Sequence, residues 1–537
     1  MELFTVGFPT ALSFQNLIYC FTGVFLGTLI GVLPGIGPLA AISLLLPITM
    51  YLEPTAALVM LAGVYYGAQY GGSTTAILLN LPGCSSSAIT ALDGYAMRRN
   101  GRAGAAIFIT TLASFIGGSI GILLLTTFAT GIAQAARMFG AAEYFAAMLL
   151  ALIMASTIAQ GSVLKGYLMV LVGVLLGCVG LDVNSGVARF ELGFLQLYEG
   201  ISMIIVAIGL FGVSEIIISL TSKSSAPQAG KVPLRSLIPT RDEMRRMWAP
   251  TFRGTAIGGL FGALPGVGAN VATYCAYAFE KRVARDKSKF GKGAVEGVAS
   301  PEAANNAGVQ TAFIPTLLLG IPGSATMAVM LGALMIHGIA AGPRLMTQQP
   351  ELFWGLIASF WIGNVLLVIL NIPLIGIWVA LLRIPYKLLY PAILALICIG
   401  TYSLRYSYFD IWLVLIFGVV GYILRVLRFE PAPLLIGFVL GPMVEENLRR
   451  AMILAHGDIG NLLQRPIAGT ILAIAAIVLV ATFISQYRDA FGARRDRDAD
   501  GDAVAASPAW MAGAESRAAP GSVSGADPAR DKERDPT

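Results

Sequence analysis

The sequence predicts an all-α integral membrane protein of about 12 transmembrane helices, in two inverted-topology repeats with Pro/Gly-broken helices or hairpins. Three observations predict it. First, 56% of the 537 residues are hydrophobic, only 12% are charged, and mean hydropathy is +0.76. A soluble chain carries roughly 25% charged residues, and no single domain core would bury this much apolar surface. Second, apolar stretches succeed one another along the chain. Third, two Pro-Gly signatures each occur twice.

The stretches run at 17–49, 55–82, 104–128, 144–160, 163–181, 201–220, 254–279, 303–337, 352–382, 389–404, 409–424, 432–442 and 466–486. About 20 residues cross the hydrocarbon core. The 17–49 and 254–279 stretches are interrupted by Pro and Gly, which points to hairpins or broken helices. High counts of Gly (61) and Pro (27) suit membrane helices, where neighbouring groups re-satisfy freed backbone. Five cysteines form no C-x-x-C pair and read as small core residues. Two histidines, His337 and His456, cannot build a His-rich metal site and read as interfacial. The N-terminus has no basic segment ahead of its apolar run, so it does not read as a cleaved signal.

Charge sets the orientation. Arg98, Arg99 and Arg102, the 221–253 segment, the 280–296 segment with six basic and three acidic residues, and Arg425 with Arg428 all belong on the cytoplasmic side. The acidic linkers 50–54 and 182–199 belong outside. Residues 488–537 carry 8 basic and 10 acidic residues, which leaves +8 on the membrane body; this excess marks loops, not nucleic-acid binding. The organisation expected is a first transmembrane repeat at 1–220, a cytoplasmic basic linker at 221–253, a second repeat at 254–486, and a disordered cytoplasmic tail at 487–537.

The first signature is Gly31-Val32-Leu33-Pro34-Gly35-Ile36-Gly37 and again Gly262-Ala263-Leu264-Pro265-Gly266-Val267-Gly268, 231 positions apart. The second runs from Leu78 through Pro82-Gly83 to Ser87, and from Leu318 through Pro322-Gly323 to Thr326, 240 positions apart. Shared order and spacing argue for duplication. The loops after the matching motifs differ in charge, acidic or neutral in one copy and basic in the other. Matching loops on opposite sides are the mark of an inverted repeat.

A Pro inside a helix removes a hydrogen bond, and the freed helix N-terminus carries partial positive charge. Broken helices near the midplane can thus bind an anion without a buried Lys or Arg. The candidate substrate contacts are Gly35, Gly37, Asn80, Gly83, Ser85, Ser86 and Ser87 in the first half, and Gly266, Gly268, Asn305, Asn306, Gly323, Ser324 and Thr326 in the second. Hydroxyl and carbonyl oxygens can also hold a cation, and Ser73, Thr74, Asp93 and Glu302 are the candidates for ion coupling. For any single Ser, Thr or Gly here the bland alternative is close helix packing. Asp93 could equally pair with Arg98 or Arg99, Glu302 could start a helix, and Lys165 reads as an interfacial side chain reaching toward the headgroups.

No Walker phosphate loop or zinc-protease motif occurs, so the energy source is an ion gradient or another subunit and the chain is not read as an enzyme.

The stretches Gly31–Pro47, Tyr66–Gly104, Gly262–Lys292 and Gly297–Pro343 resemble the large membrane subunit of the tripartite tricarboxylate transporters, the TctA family. The likeness covers about residues 10–485. It implies a permease in a bacterial inner membrane that imports citrate-like or other carboxylates by symport with Na⁺ or H⁺. It also implies two protein partners: a small four-helix membrane subunit and a periplasmic solute-binding protein. No cofactor and no nucleic acid are expected. The carried-over positions are the two Pro-Gly elements and the Asn305-Asn306 pair. The alternative is a stand-alone anion carrier or channel that needs no binding protein.

Overall fold

The computed structural model describes residues 2–33, 36–157, 162–182, 185–221, 234–381 and 386–505. They form helices throughout, apart from a short antiparallel pair of Gly180–Leu181 with Ala188–Arg189. Among the described residues, six helices are long and apolar enough to cross a membrane: Phe14–Gly31, Ala103–Ala136, Met203–Leu220, Pro350–Asn371, Tyr408–Val426 and Pro466–Gln486. Shorter apolar helices accompany them, among them Pro38–Thr49, Val163–Gly177 and Ala325–Ile336. The outward faces are apolar. Leu164, Leu168, Leu171 and Leu175 are exposed along one side of Val163–Gly177, and Trp412, Ile416, Val419 and Ile423 along Tyr408–Val426. Such stripes would be costly in water and suit lipid. The chain is a multi-pass, all-α membrane protein.

The Pro-Gly interruptions fall where the sequence places them. Stretch 17–49 divides into Phe14–Gly31 and Pro38–Thr49, and stretch 254–279 falls into Arg241–Gly262 and Gly268–Val283. Stretch 303–337 spans parts of Val295–Thr311, Phe313–Leu319 and Ala325–Ile336. One boundary differs from expectation. The helix of the second half begins at Arg241, inside the segment read as linker. Thr240 and Glu243 close a reciprocal capping box there, and Asp242 and Glu243 put negative charge on the first turn. The last helix also continues to Ala505, into the segment expected to be disordered. Contacts divide the chain at Val480, after which the described part is the end of that helix. Residues 506–537 of the expected tail lie outside the described residues, as do 222–233 of the linker.

Two helix pairs are built alike. Gly23, Gly27 and Gly31 each press against the backbone of Met60, Val64 and Ala68, so that an added Cβ would fall on those carbonyl oxygens. Gly254, Gly258 and Gly262 meet Ser300, Ala304 and Gly308 in the same way. Small residues at every fourth position let two backbones approach closely enough for Cα–H to carbonyl contacts. The aromatic core lies where the halves meet: Tyr66 packs edge-on against Phe360 at 5.3 Å between ring centroids, and Phe313 lies 4.8 Å from Phe360.

Gly258→Val should therefore lower the thermal midpoint of the detergent-solubilised protein, by the equivalent of about 1–3 kcal/mol of overpacking. Gly131→Ala, where a Cβ meets nothing within 4 Å, should leave it unchanged or raise it slightly. Equal midpoints for the two variants would refute the close-packing account.

Candidate functional site

Each half ends a helix at its second Pro-Gly element in the same manner. Pro54–Leu79 stops at Asn80, which takes the left-handed conformation (φ 57°), and its N–H bonds the Ala76 carbonyl at 3.2 Å. Phe313–Leu319 stops at Gly320, also left-handed (φ 69°). Pro82 and Pro322 then exclude a helical hydrogen bond. The chain runs extended through Cys84 and Ser324 before the next helix begins. Ser324 Oγ caps its helix by accepting from the Met327 N–H at 3.3 Å. In the first half Ser87 Oγ accepts from the Cys84 N–H at 3.3 Å, ahead of the helix Ala88–Arg99.

These restarts converge on one cavity of about 540 Å³. Its wall holds the start of Pro38–Thr49 (Gly37 to Ala40), of Ala88–Arg99 (Ser85 and Ala88), of Gly268–Val283 (Val267 to Asn270) and of Ala325–Ile336 (Ser324 to Thr326). Four helix N-termini, two from each half, thus face one space. Each carries roughly half a positive charge. The volume lies within the range of small-molecule sites.

Behind the wall is a buried polar cluster. Gln69 lines the cavity, and its Oε1 accepts from Ser86 Oγ at 2.9 Å, Asn305 Nδ2 at 3.2 Å and the Cys84 thiol at 3.2 Å. Asn305 Oδ1 is buried and unpartnered. One turn along from Gln69, Ser73 donates to Glu302 Oε1 at 2.8 Å. Thr90 donates to the same oxygen at 2.6 Å, and Ser114 to Oε2 at 3.2 Å. Glu302 is 1% exposed, and among the described residues no ion pair reaches it. A carboxyl in such a place is costly unless its charge is answered, here by hydroxyl dipoles alone.

The structure brings Gly37, Gly83, Ser85, Gly268, Ser324 and Thr326 to the cavity wall and sets Ser86, Asn305, Ser73 and Glu302 just behind it. Other candidates stand elsewhere. Gly35 lies outside the described residues. Asn80 is an exposed helix end. Ser87 is a cap, and Gly266 turns (φ 77°) against the backbone of Ala151 and Ala155. Gly323 packs on Ala312, Asn306 Nδ2 returns to the Glu302 carbonyl at 3.1 Å, and Thr74 Oγ1 to the Tyr70 carbonyl at 3.2 Å.

Asp93 pairs with neither Arg98 nor Arg99. Its Oδ1 accepts three backbone N–H groups, from Gly291, Gly293 and Ala294 at 2.8–2.9 Å, and its Oδ2 accepts the Tyr277 hydroxyl at 2.9 Å. It clamps the basic loop. Lys165 also has a defined partner, the Leu427 carbonyl at 2.7 Å, with the Phe429 ring 4.4 Å below its Nζ.

Sequence reasoning missed Tyr65, Gln69, Asn270, Tyr274, Glu215, Arg425 and Glu430, all of which line the cavity. Gln69 was findable as an amide inside a span. Glu215 and Arg425 lie far from the motifs in sequence and carry no local signal. No cluster of three His, Cys, Asp or Glu suited to a metal occurs among the described residues.

The model of the tripartite tricarboxylate transporter TctA family matches residues 17–436. An uncharacterized 52.8 kDa protein of the TAR-I ttuC′ 3′ region of Agrobacterium vitis is 50% identical over 484 residues, 90% of this chain and 96% of its own. An uncharacterized protein of the TAR-II ttuC′ 3′ region of the same organism is 49% identical over 231 residues, 43% of this chain and 96% of its own. No solved structure matches. The chain belongs to the TctA family.

Ser86→Ala and Asn305→Ala should each reduce transport severalfold, more than Ser119→Ala. Their double variant should be little worse than either, because both act through Gln69. Fully additive losses would refute the shared hub. Asp93→Ala should open the 287–294 loop, so that trypsin cuts the solubilised protein faster at Lys289 and Lys292; an unchanged cleavage rate would refute the clamp.

Proposed function

We propose that this TctA-family chain is the permease of a binding-protein-dependent secondary transporter that imports tricarboxylates or related carboxylates. The observation that carries the reading is the convergence of four helix N-termini on one cavity. A solute with two or three carboxylates needs several separate positive poles. Helix starts supply them without the desolvation cost of buried Lys or Arg. Backbone N–H groups and the Ser85, Ser324 and Thr326 hydroxyls are the donors.

The driving force is a Na⁺ or H⁺ gradient, coupled at Glu302. Its carboxyl lacks a cationic partner among the described residues and touches Ser73, which sits one turn from Gln69 on the cavity wall. The Gln69–Asn305 bond joins the same two helices a second time. A cation or proton arriving at Glu302 therefore changes the packing that shapes the solute site. The two halves are inverted repeats: the paired glycine contacts recur at the 231 and 240 spacings of the motifs, and loop charge alternates between them. Rocking of one half against the other would expose the cavity to each side in turn. The setting is a bacterial inner membrane with the C-terminal tail in the cytoplasm. The partners are a small four-helix membrane subunit and a periplasmic solute-binding protein.

In proteoliposomes that contain both membrane subunits, carboxylate uptake should require the soluble binding protein and collapse when the ion gradient is dissipated. Glu302→Gln should abolish gradient-driven accumulation while retaining solute exchange. Uptake that tracks ATP instead, or that is indifferent to the binding protein, would overturn the proposal.

A further inference from the structure

Glu215 and Arg425 form an ion pair on the wall of the cavity. They arrive there through an unusual crossing. Residues Ile208–Val213 are wound as a π-helix between Met203–Ala207 and Ser214–Thr221. π-Segments add a residue to the turn, shift the register of the helix beyond them, and concentrate at functional sites. Gly209 in the π-segment lies on Phe417 and Val414, Gly418 on Val213, and Gly421 on the Leu210 carbonyl. These contacts hold Tyr408–Val426 tightly against the π-segment, so Glu215, just after it, meets Arg425, one turn beyond Gly421. The Lys165 bond to the Leu427 carbonyl secures the adjoining turn. Phe211, inside the π-segment, lines the same cavity.

Arg425 is the one Lys or Arg among the described residues that line the cavity. Charges so close to the spans of a membrane protein are retained for function by default. A guanidinium presents paired N–H donors that match a carboxylate, and here Nη1 already donates to Glu215 Oε2. Glu430 lines the wall as well. Burial pushes its carboxyl up, with Arg425 pulling the other way.

We infer that Arg425 is the specificity-determining anchor for one carboxylate of the solute, and that Glu215 is an internal stand-in which that carboxylate displaces. This rests on the reading of the cavity as a carboxylate site and adds a division of labour to it. The helix N-termini hold one end of the solute, and Arg425 selects for a second carboxylate at the other. A monocarboxylate can use the first set only. Displacement frees Glu215, so solute binding also releases the contact between Ser214–Thr221 and the end of Tyr408–Val426.

The test is binding to the purified full-length protein in nanodiscs, with acetate, succinate, malate, tartrate and citrate as probes. The wild type should bind at least one di- or tricarboxylate. Arg425→Gln should weaken that binding at least tenfold and leave acetate unchanged. Glu215→Gln should tighten it severalfold by removing the competitor. The double variant leaves neither member of the pair as a lone charge and should melt closer to the wild type than Arg425→Gln does, yet bind as weakly as Arg425→Gln. A double variant that binds like the wild type, or a Glu215→Gln that weakens binding as Arg425→Gln does, would reduce the pair to a structural tie and overturn the inference. A wild type that binds none of the probes would sink the carboxylate reading itself, and this inference with it.

Discussion

Lipid offers no hydrogen bonds, so a membrane helix can be interrupted only where protein answers the groups it frees. This constraint organises the molecule. At Asn80 and Gly320 the chain leaves the helix through a left-handed residue, and proline comes two residues later in both. Ser324 then takes up the Met327 N–H of its restart, and Ser87 takes up the Cys84 N–H ahead of the other. The residues at these restarts line the cavity. The donors that a solute could use are those that helix geometry leaves unpaired.

The same constraint explains the cluster behind the wall. Ser86, Asn305 and the Cys84 thiol all donate to the one amide oxygen of buried Gln69. Glu302 collects three hydroxyls from three different helices, at Ser73, Thr90 and Ser114. Each of those hydroxyls alone reads as packing. Together they surround a carboxyl, and the burial of that carboxyl is tolerable only because they do.

Much of this was legible in the sequence because it is local. Pro-Gly breaks declare themselves within a few residues, and the duplicated motifs by their repeated spelling. The cavity wall could be read from Gly37, Gly83, Gly268 and Ser324 for that reason. The partners of Asp93 could not, since it bonds backbone N–H groups about 200 residues away and not the arginines beside it. Arg425 read as a loop charge flanking a turn. Its place on the wall depends on a π-turned helix, and no residue pattern announces that winding. The start at Arg241 was hidden by its own charge: a basic segment looks like a linker until the Thr240–Glu243 box is noticed.

The glycine seams have a mechanical meaning. With backbone resting on backbone at three successive turns, Phe14–Gly31 can neither slide nor roll on Pro54–Leu79, and Arg241–Gly262 is equally locked to Val295–Thr311. Each pair is a stiff beam. The joint at residues 80–84 lies at the end of the first beam, while the short helix Phe313–Leu319 separates the second beam from the joint at 320–324. Pro82, Gly83 and Cys84 of that first joint line the cavity, so the wall begins where the stiff beam stops.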